Sequence, residues 1–137
     1  MKSLPTLIRV RKWELEEKRR KLNDLRALAA KLSDAIARLN DEVQQEQGLT
    51  SSHADLTFAY GPYAAAVVER RRTLEHSVEG VQRQIETAME ELTEAFTELK
   101  KFEVANANRS RRARADANRR EQIQLDDVAI ESFRRDH

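Results

Sequence analysis

Apolar residues recur along the first third of the chain at alternating steps of four and three. From Leu4 the steps land on Ile8, Arg11, Leu15, Lys18, Leu22, Leu25, Ala29, Leu32, Ile36, Leu39, Val43 and Glu46, and only Arg11, Lys18 and Glu46 are polar. A mean spacing of about 3.5 residues keeps one stripe of a helix against a partner helix along its whole length. A second run lands on Ala64, Val67, Arg71, Leu74, Val78, Val81, Ile85, Ala88, Leu92, Ala95, Leu99 and Phe102, with Arg71 the sole polar member. Gly80 falls off this seam, where it costs about 1 kcal/mol of helix propensity but no contact. Between the runs lies the turn-rich segment GLTSSHADLTFAYGP. Gly48 suits a helix C-terminus, Ser51 or Ser52 can cap a new start, and Pro62 belongs in a first turn. The expected elements are a helix over about 4–47, a turn over about 48–61 holding a short helical piece between Ser52 and Tyr60, and a helix over about 62–134.

The two seams match each other. If the chain folds back near residue 53, Leu4 faces Phe102, Leu25 faces Val81 and Leu39 faces Val67. The second seam loses its apolar character beyond Phe102, at Asn106, Arg109, Asp116 and Arg120, where the first helix has no residues left to offer. The expected fold class is all-α: a two-helix antiparallel coiled-coil hairpin with a C-terminal helical overhang, forming one domain.

Composition supports this and narrows the alternatives. The chain has 137 residues, only 3 glycines and 2 prolines, and 36% charged residues. So few turn formers argue against sandwiches, barrels and doubly wound folds, which reverse often. Cysteine is absent, removing disulfides, thiolate metal sites and cysteine nucleophiles. No apolar stretch approaches the ~18 residues of a membrane-spanning helix, and MKSLPTLIRVRKW has no signal-peptide core. A cytoplasmic location is the simplest expectation.

The net charge is only +1, but charge is unevenly spread. Lys2, Arg9, Arg11, Lys12, Lys18, Arg19, Arg20 and Lys21 make the start basic; Arg109, Arg111, Arg112, Arg114, Arg119 and Arg120 do the same beyond the second seam. Glu86, Glu90, Glu91, Glu94 and Glu98 form an acidic band. The run RSRRARADANRR invites a nucleic-acid reading, because clustered arginines neutralise phosphates. The near-neutral total and the lack of aromatics for base stacking weigh against it. A solvated face or a dock for an acidic protein surface fits better.

No catalytic constellation emerges. His53, His76 and His137 share no helical spacing with one another, and there is no phosphate-binding glycine loop or GxSxG elbow. Asp126, Asp127 and Glu131 form a charged helix face better than a cation site, since adjacent helical residues diverge by about 100°. A non-enzymatic protein without metal, cofactor or small-molecule substrate is expected. The chain's sole tryptophan, Trp13, falls opposite the seam with Val10 one turn away. It either covers neighbouring alkyl stems or anchors a partner, tryptophan being enriched at interface hot spots. Met89 and Phe96 flank the second seam and are expected to widen the hairpin core. Near the C-terminus Ile123, Leu125, Val128, Ala129, Ile130 and Phe133 spread around much of a helix and leave the seam. Unpaired with the first helix, such a surface calls for a partner.

MKSLPTLIRVRKWELEEKRRKLNDL at the start and RREQIQLDDVAIESF at the end resemble the FliJ family of flagellar export proteins. The specific part is Arg120-Glu121-Gln122, then Leu125-Asp126-Asp127 and Ala129, which is similar to the family's C-terminal REQxxLDExA signature, with Asp127 where glutamate is usual. The resemblance implies a coiled coil similar to the central stalk of rotary ATPases and a role in flagellum biogenesis and motility. It implies binding to the export ATPase hexamer, promotion of that ring's assembly, contact with the membrane export-gate protein, and escort of export chaperones. It implies a cytoplasmic protein peripherally associated with the inner membrane at the flagellar base. The analogous stalk of a virulence-type secretion system is the alternative within the class. The partner-binding residues expected from both lines are Trp13, Arg112, Arg119, Arg120, Glu121, Leu125, Asp126, Asp127, Ile130 and Phe133.

Overall fold

The computed structural model describes residues 3–52 and 57–136, and the side chains of these except 50–52 and 57–59. The fold is all-α, with helix α1 over Leu4–Ser52 (49 residues) and helix α2 over Thr57–Asp136 (80 residues). Ser3 caps α1: its carbonyl accepts the Leu7 amide at 3.0 Å and its hydroxyl oxygen lies 3.4 Å from the Thr6 amide. Pro5 follows within the first turn, where no amide hydrogen is needed. Thr73, Ser77, Thr87 and Thr93 return their hydroxyls to carbonyls four residues earlier, at 3.0–3.2 Å, which accommodates poor helix formers inside α2.

The breakers expected to bound a turn over 48–61 lie inside helices. Gly48 lies within α1 without the positive φ of a left-handed cap, and Pro62 sits beyond the first turn of α2. Neither stops a helix that tertiary contacts favour: Gly48 costs propensity only, and Pro62 withholds one amide hydrogen, from the Phe58 carbonyl. The fold-back expected near residue 53, His53 and most of the short helical piece expected between Ser52 and Tyr60 lie outside the described residues.

Contacts divide the chain into two compact units: Leu15–Glu94, and Met1–Glu14 with Ala95–His137. Leu15–Glu94 is an antiparallel hairpin. Leu15, Leu22 and Leu39 of α1 and Val67, Val81 and Ala88 of α2 are buried, and Leu25, Ala29, Leu32, Ile36, Leu74 and Val78 are half-buried. The seam positions face inward, but their alignment is about one helical turn from that of a fold-back at residue 53. Lys18 and Lys21 meet Glu91, and Arg71 donates a hydrogen bond to Asn40. Those contacts set Leu22 level with Ala88, Leu25 with Ile85 and Ala29 with Val81. Each residue by which a fold-back point moves along the chain displaces the pairing by two, so a pairing one turn away needs a shift of only about two residues.

The second unit pairs the start of α1 with the stretch of α2 that begins at Ala95. Leu4, Leu7 and Ile8 are half-buried on one side, Leu99 is buried and Phe102 half-buried on the other. The polar seam member Arg11 is accommodated twice over. Its guanidinium lies 5.4 Å from the Phe102 ring centroid and 2.9 Å from the Glu14 carboxylate. Beyond Asn106, α2 continues to Asp136 with every described residue exposed.

Candidate partner-binding surface

The exposed stretch of α2 contains all but one of the expected site residues. Short-range polar pairs run along it: Arg111 to Asn108 at 3.0 Å, Arg119 to Asp116 at 3.5 Å, Gln122 to Asp126 at 3.2 Å and Arg135 to Glu131 at 3.9 Å. Each such neighbour pair contributes a few tenths of a kcal/mol to an isolated helix. Asp126 and Glu131 are therefore engaged along the helix, and the described residues contain no group of three His, Cys, Asp or Glu side chains that could hold a metal ion. Arg112, Arg120, Glu121 and Asp127 form no ion pair among the described residues.

The large apolar residues of this stretch face water. Ile123, Leu125, Val128, Ile130 and Phe133 are 53–66% exposed. At 100° per residue, Ile123, Ile130 and Phe133 form one stripe, while Leu125 and Val128 lie on another side. Apolar side chains thus cover more of the circumference than one flat contact would bury. Trp13, 64% exposed, is on α1 with Val10 at 39%.

Two sequence expectations fail here. Met89 and Phe96 are each 46% exposed and do not widen the core. Both lie one position past a seam residue, and a two-helix pair has no third layer to cover that flank. Phe96 instead carries the Lys100 ammonium 5.4 Å from its ring centroid. The sequence reading also missed Val104, 57% exposed, in a shallow groove along α2 with Thr97, Lys100, Lys101, Ala105 and Asn108.

Among the described residues no helix is long and apolar enough to cross a membrane. What remains is a chain with two heptad-paired segments, a basic-to-apolar exposed helix, and the signature residues Arg120, Glu121, Leu125, Asp126 and Asp127 displayed on it. The family model for the flagellar FliJ protein matches residues 1–137. The chain belongs to the FliJ family. Searches of curated proteins and of solved structures return no match. As a FliJ family member it is a component of the flagellar protein export apparatus, in a family of non-enzymatic export proteins.

Proposed function

We propose that the chain serves as the coiled-coil stalk of the export ATPase ring, docking through the exposed part of α2. The observation that carries this reading is the run of apolar side chains from Ile123 to Phe133, all more than half exposed. Water-facing apolar surface of this extent is stabilised by a partner that covers it. The basic residues Arg112, Arg119 and Arg120 precede the apolar run and act on encounter, since rim charges govern association rate more than retention. Leu125, Ile130 and Phe133 hold the complex, and Glu121, Asp126 and Asp127 orient it. Trp13, 64% exposed on α1, supplies a second anchor for a partner. Contact with the membrane export gate, escort of export chaperones and a cytoplasmic position at the base of the flagellum belong to the same reading.

The test is a pull-down combined with stimulation of ATPase-ring assembly, comparing the full chain with a deletion of residues 119–137. The deletion is expected to lose both. Normal binding and stimulation by the deleted chain would place the docking surface elsewhere and overturn the reading.

A further inference from the structure

Lys18 and Arg71 interrupt the apolar seam of the Leu15–Glu94 hairpin, and each has a partner on the opposite helix. The Lys18 ammonium lies 3.1 Å from a Glu91 carboxylate oxygen that Lys21 also approaches, at 3.5 Å. Arg71 donates to the Asn40 side-chain carbonyl. The apolar residues by themselves leave the alignment of the helices open. Their pattern repeats every seven residues, so sliding one helix by a heptad sets seam residue against seam residue again. In the observed alignment Ala29 is level with Val81; the two one-heptad slides set it level with Leu74 or with Ala88. The sequence at the reversal permits both. One slide moves the reversal back towards Gly48 and the other moves it forward towards Gly61 and Pro62.

The polar partners distinguish these slides. Moving Ala29 to Leu74 carries Lys18 and Lys21 from Glu91 to Gln84, and Arg71 from Asn40 to Ser33. The ammonium groups then lose their carboxylate, and the guanidinium faces a short hydroxyl instead of an amide carbonyl. Moving Ala29 to Ala88 instead carries Lys18 and Lys21 from Glu91 to Glu98, another carboxylate, and Arg71 from Asn40 to Gln47, another side-chain amide. We propose that Lys18 and Arg71 act as a one-way stop on the hairpin's register, barring the slide towards Gly48 and leaving the opposite slide unopposed. A polar residue in a heptad seam that fixes one alignment at some cost in stability is the best-attested use of such residues. Here the polar residues are cations whose partners are spaced so that only one direction is penalised.

The chain has no cysteine, so engineered pairs report the alignment without background. In the full chain, Ala29→Cys is combined with Val81→Cys, Leu74→Cys or Ala88→Cys, and intramolecular disulfide yield is measured at equilibrium in a glutathione buffer. With Lys18 and Arg71 present, the 29–81 disulfide should exceed the 29–74 disulfide by at least about tenfold, equivalent to 1.4 kcal/mol. In a Lys18→Leu/Arg71→Leu background the 29–74 product should rise to within about threefold of the 29–81 product, about 0.7 kcal/mol, while 29–88 does not rise. Glu91→Gln/Asn40→Ala removes the partners instead of the cations and should release the same product. Far-UV circular dichroism confirms that each background remains helical. A 29–74 product already abundant with both cations present, one that stays absent in both backgrounds, or an equal rise of both slides overturns the proposal.

Discussion

Truncation of Leu39 to alanine tests whether the seam is what stabilises the Leu15–Glu94 hairpin. Leu39 retains 3% of its surface exposure, so nearly all of the removed group comes out of apolar contact. Three carbons are lost, and at about 0.8 kcal/mol per buried methylene the transfer contribution is roughly 2.4 kcal/mol. A cavity adds about 24 cal/mol per Å³ in a closed core, which takes the largest leucine truncations to about 5 kcal/mol. A seam between two helices has solvent along both flanks, so neighbouring stems relax into the gap and the second contribution stays below about 1 kcal/mol. The expected loss is therefore about 2–3 kcal/mol. Val68→Ala in the same hairpin, where the valine is 63% exposed, is the matched control and should cost less than about 0.5 kcal/mol. Urea unfolding followed by far-UV circular dichroism, with hydrogen exchange of the hairpin amides, measures both. A Leu39→Ala loss under about 1 kcal/mol, or equal losses for the two variants, would refute seam packing as the source of stability.

Gly80→Ala should stabilise the chain by about 0.5–1 kcal/mol, read by the same urea unfolding, because a Cβ at Gly80 meets nothing within 4 Å, its φ is not positive, and alanine is the better helix former. The Glu91 carboxyl is held below its ordinary range by the Lys18 hydrogen bond first, then by the charges of Lys18 and Lys21. Its folded-state pKa is depressed, so its contribution is fully present above the unfolded-state value of glutamate and is lost as pH falls through the folded-state value. Acid-side stability curves of the parent chain and Glu91→Gln should converge at low pH, and the difference at neutral pH should shrink with salt, as suits an exposed pair. Leu125→Ala, Ile130→Ala and Phe133→Ala should leave unfolding of the isolated chain unchanged and weaken ATPase binding by about 1–3 kcal/mol each, seen as faster dissociation. Arg112→Ala and Arg119→Ala should act on the association rate, with an effect that fades as salt is raised; surface plasmon resonance separates the two rates.

The heptad pattern made the fold class legible because a 3.5-residue period leaves only one way for a helix to hide a continuous stripe. Among the described residues the buried ones are Leu15, Leu22, Leu39, Val67, Val81, Ala88 and Leu99, and all lie on the two seams. The alignment was not legible to better than a turn. It depends on where the chain reverses, and Gly48 and Pro62 marked limits rather than the place. Met89 and Phe96 were misread because apolar character beside a seam implies burial only where a third layer exists. At the C-terminus the sequence pattern and the structure describe the same residues: departure from the seam at Asn106 coincides with the onset of full exposure. Val104 escaped notice because it stands between Glu103 and Ala105 off the seam, with no large apolar residue at helical spacing on its own face.

Every described residue of 107–136 is exposed, and this separates the energetics of that stretch from those of the hairpin. An isolated helix is only marginally stable in water, so opening here is governed by local helix–coil balance and not by the unfolding of the seam. A partner that binds the helical form must supply the ordering free energy of whatever fraction is uncoiled, and apparent affinity falls by that fraction. Affinity can then be tuned at positions that touch no partner. Ala113, Ala115 and Ala117 are strong helix formers immediately ahead of the signature residues, and under the proposed docking their contribution would lie in the population of the helix they belong to. Substitutions there would change backbone order and leave the side chains of Leu125, Ile130 and Phe133 as they are.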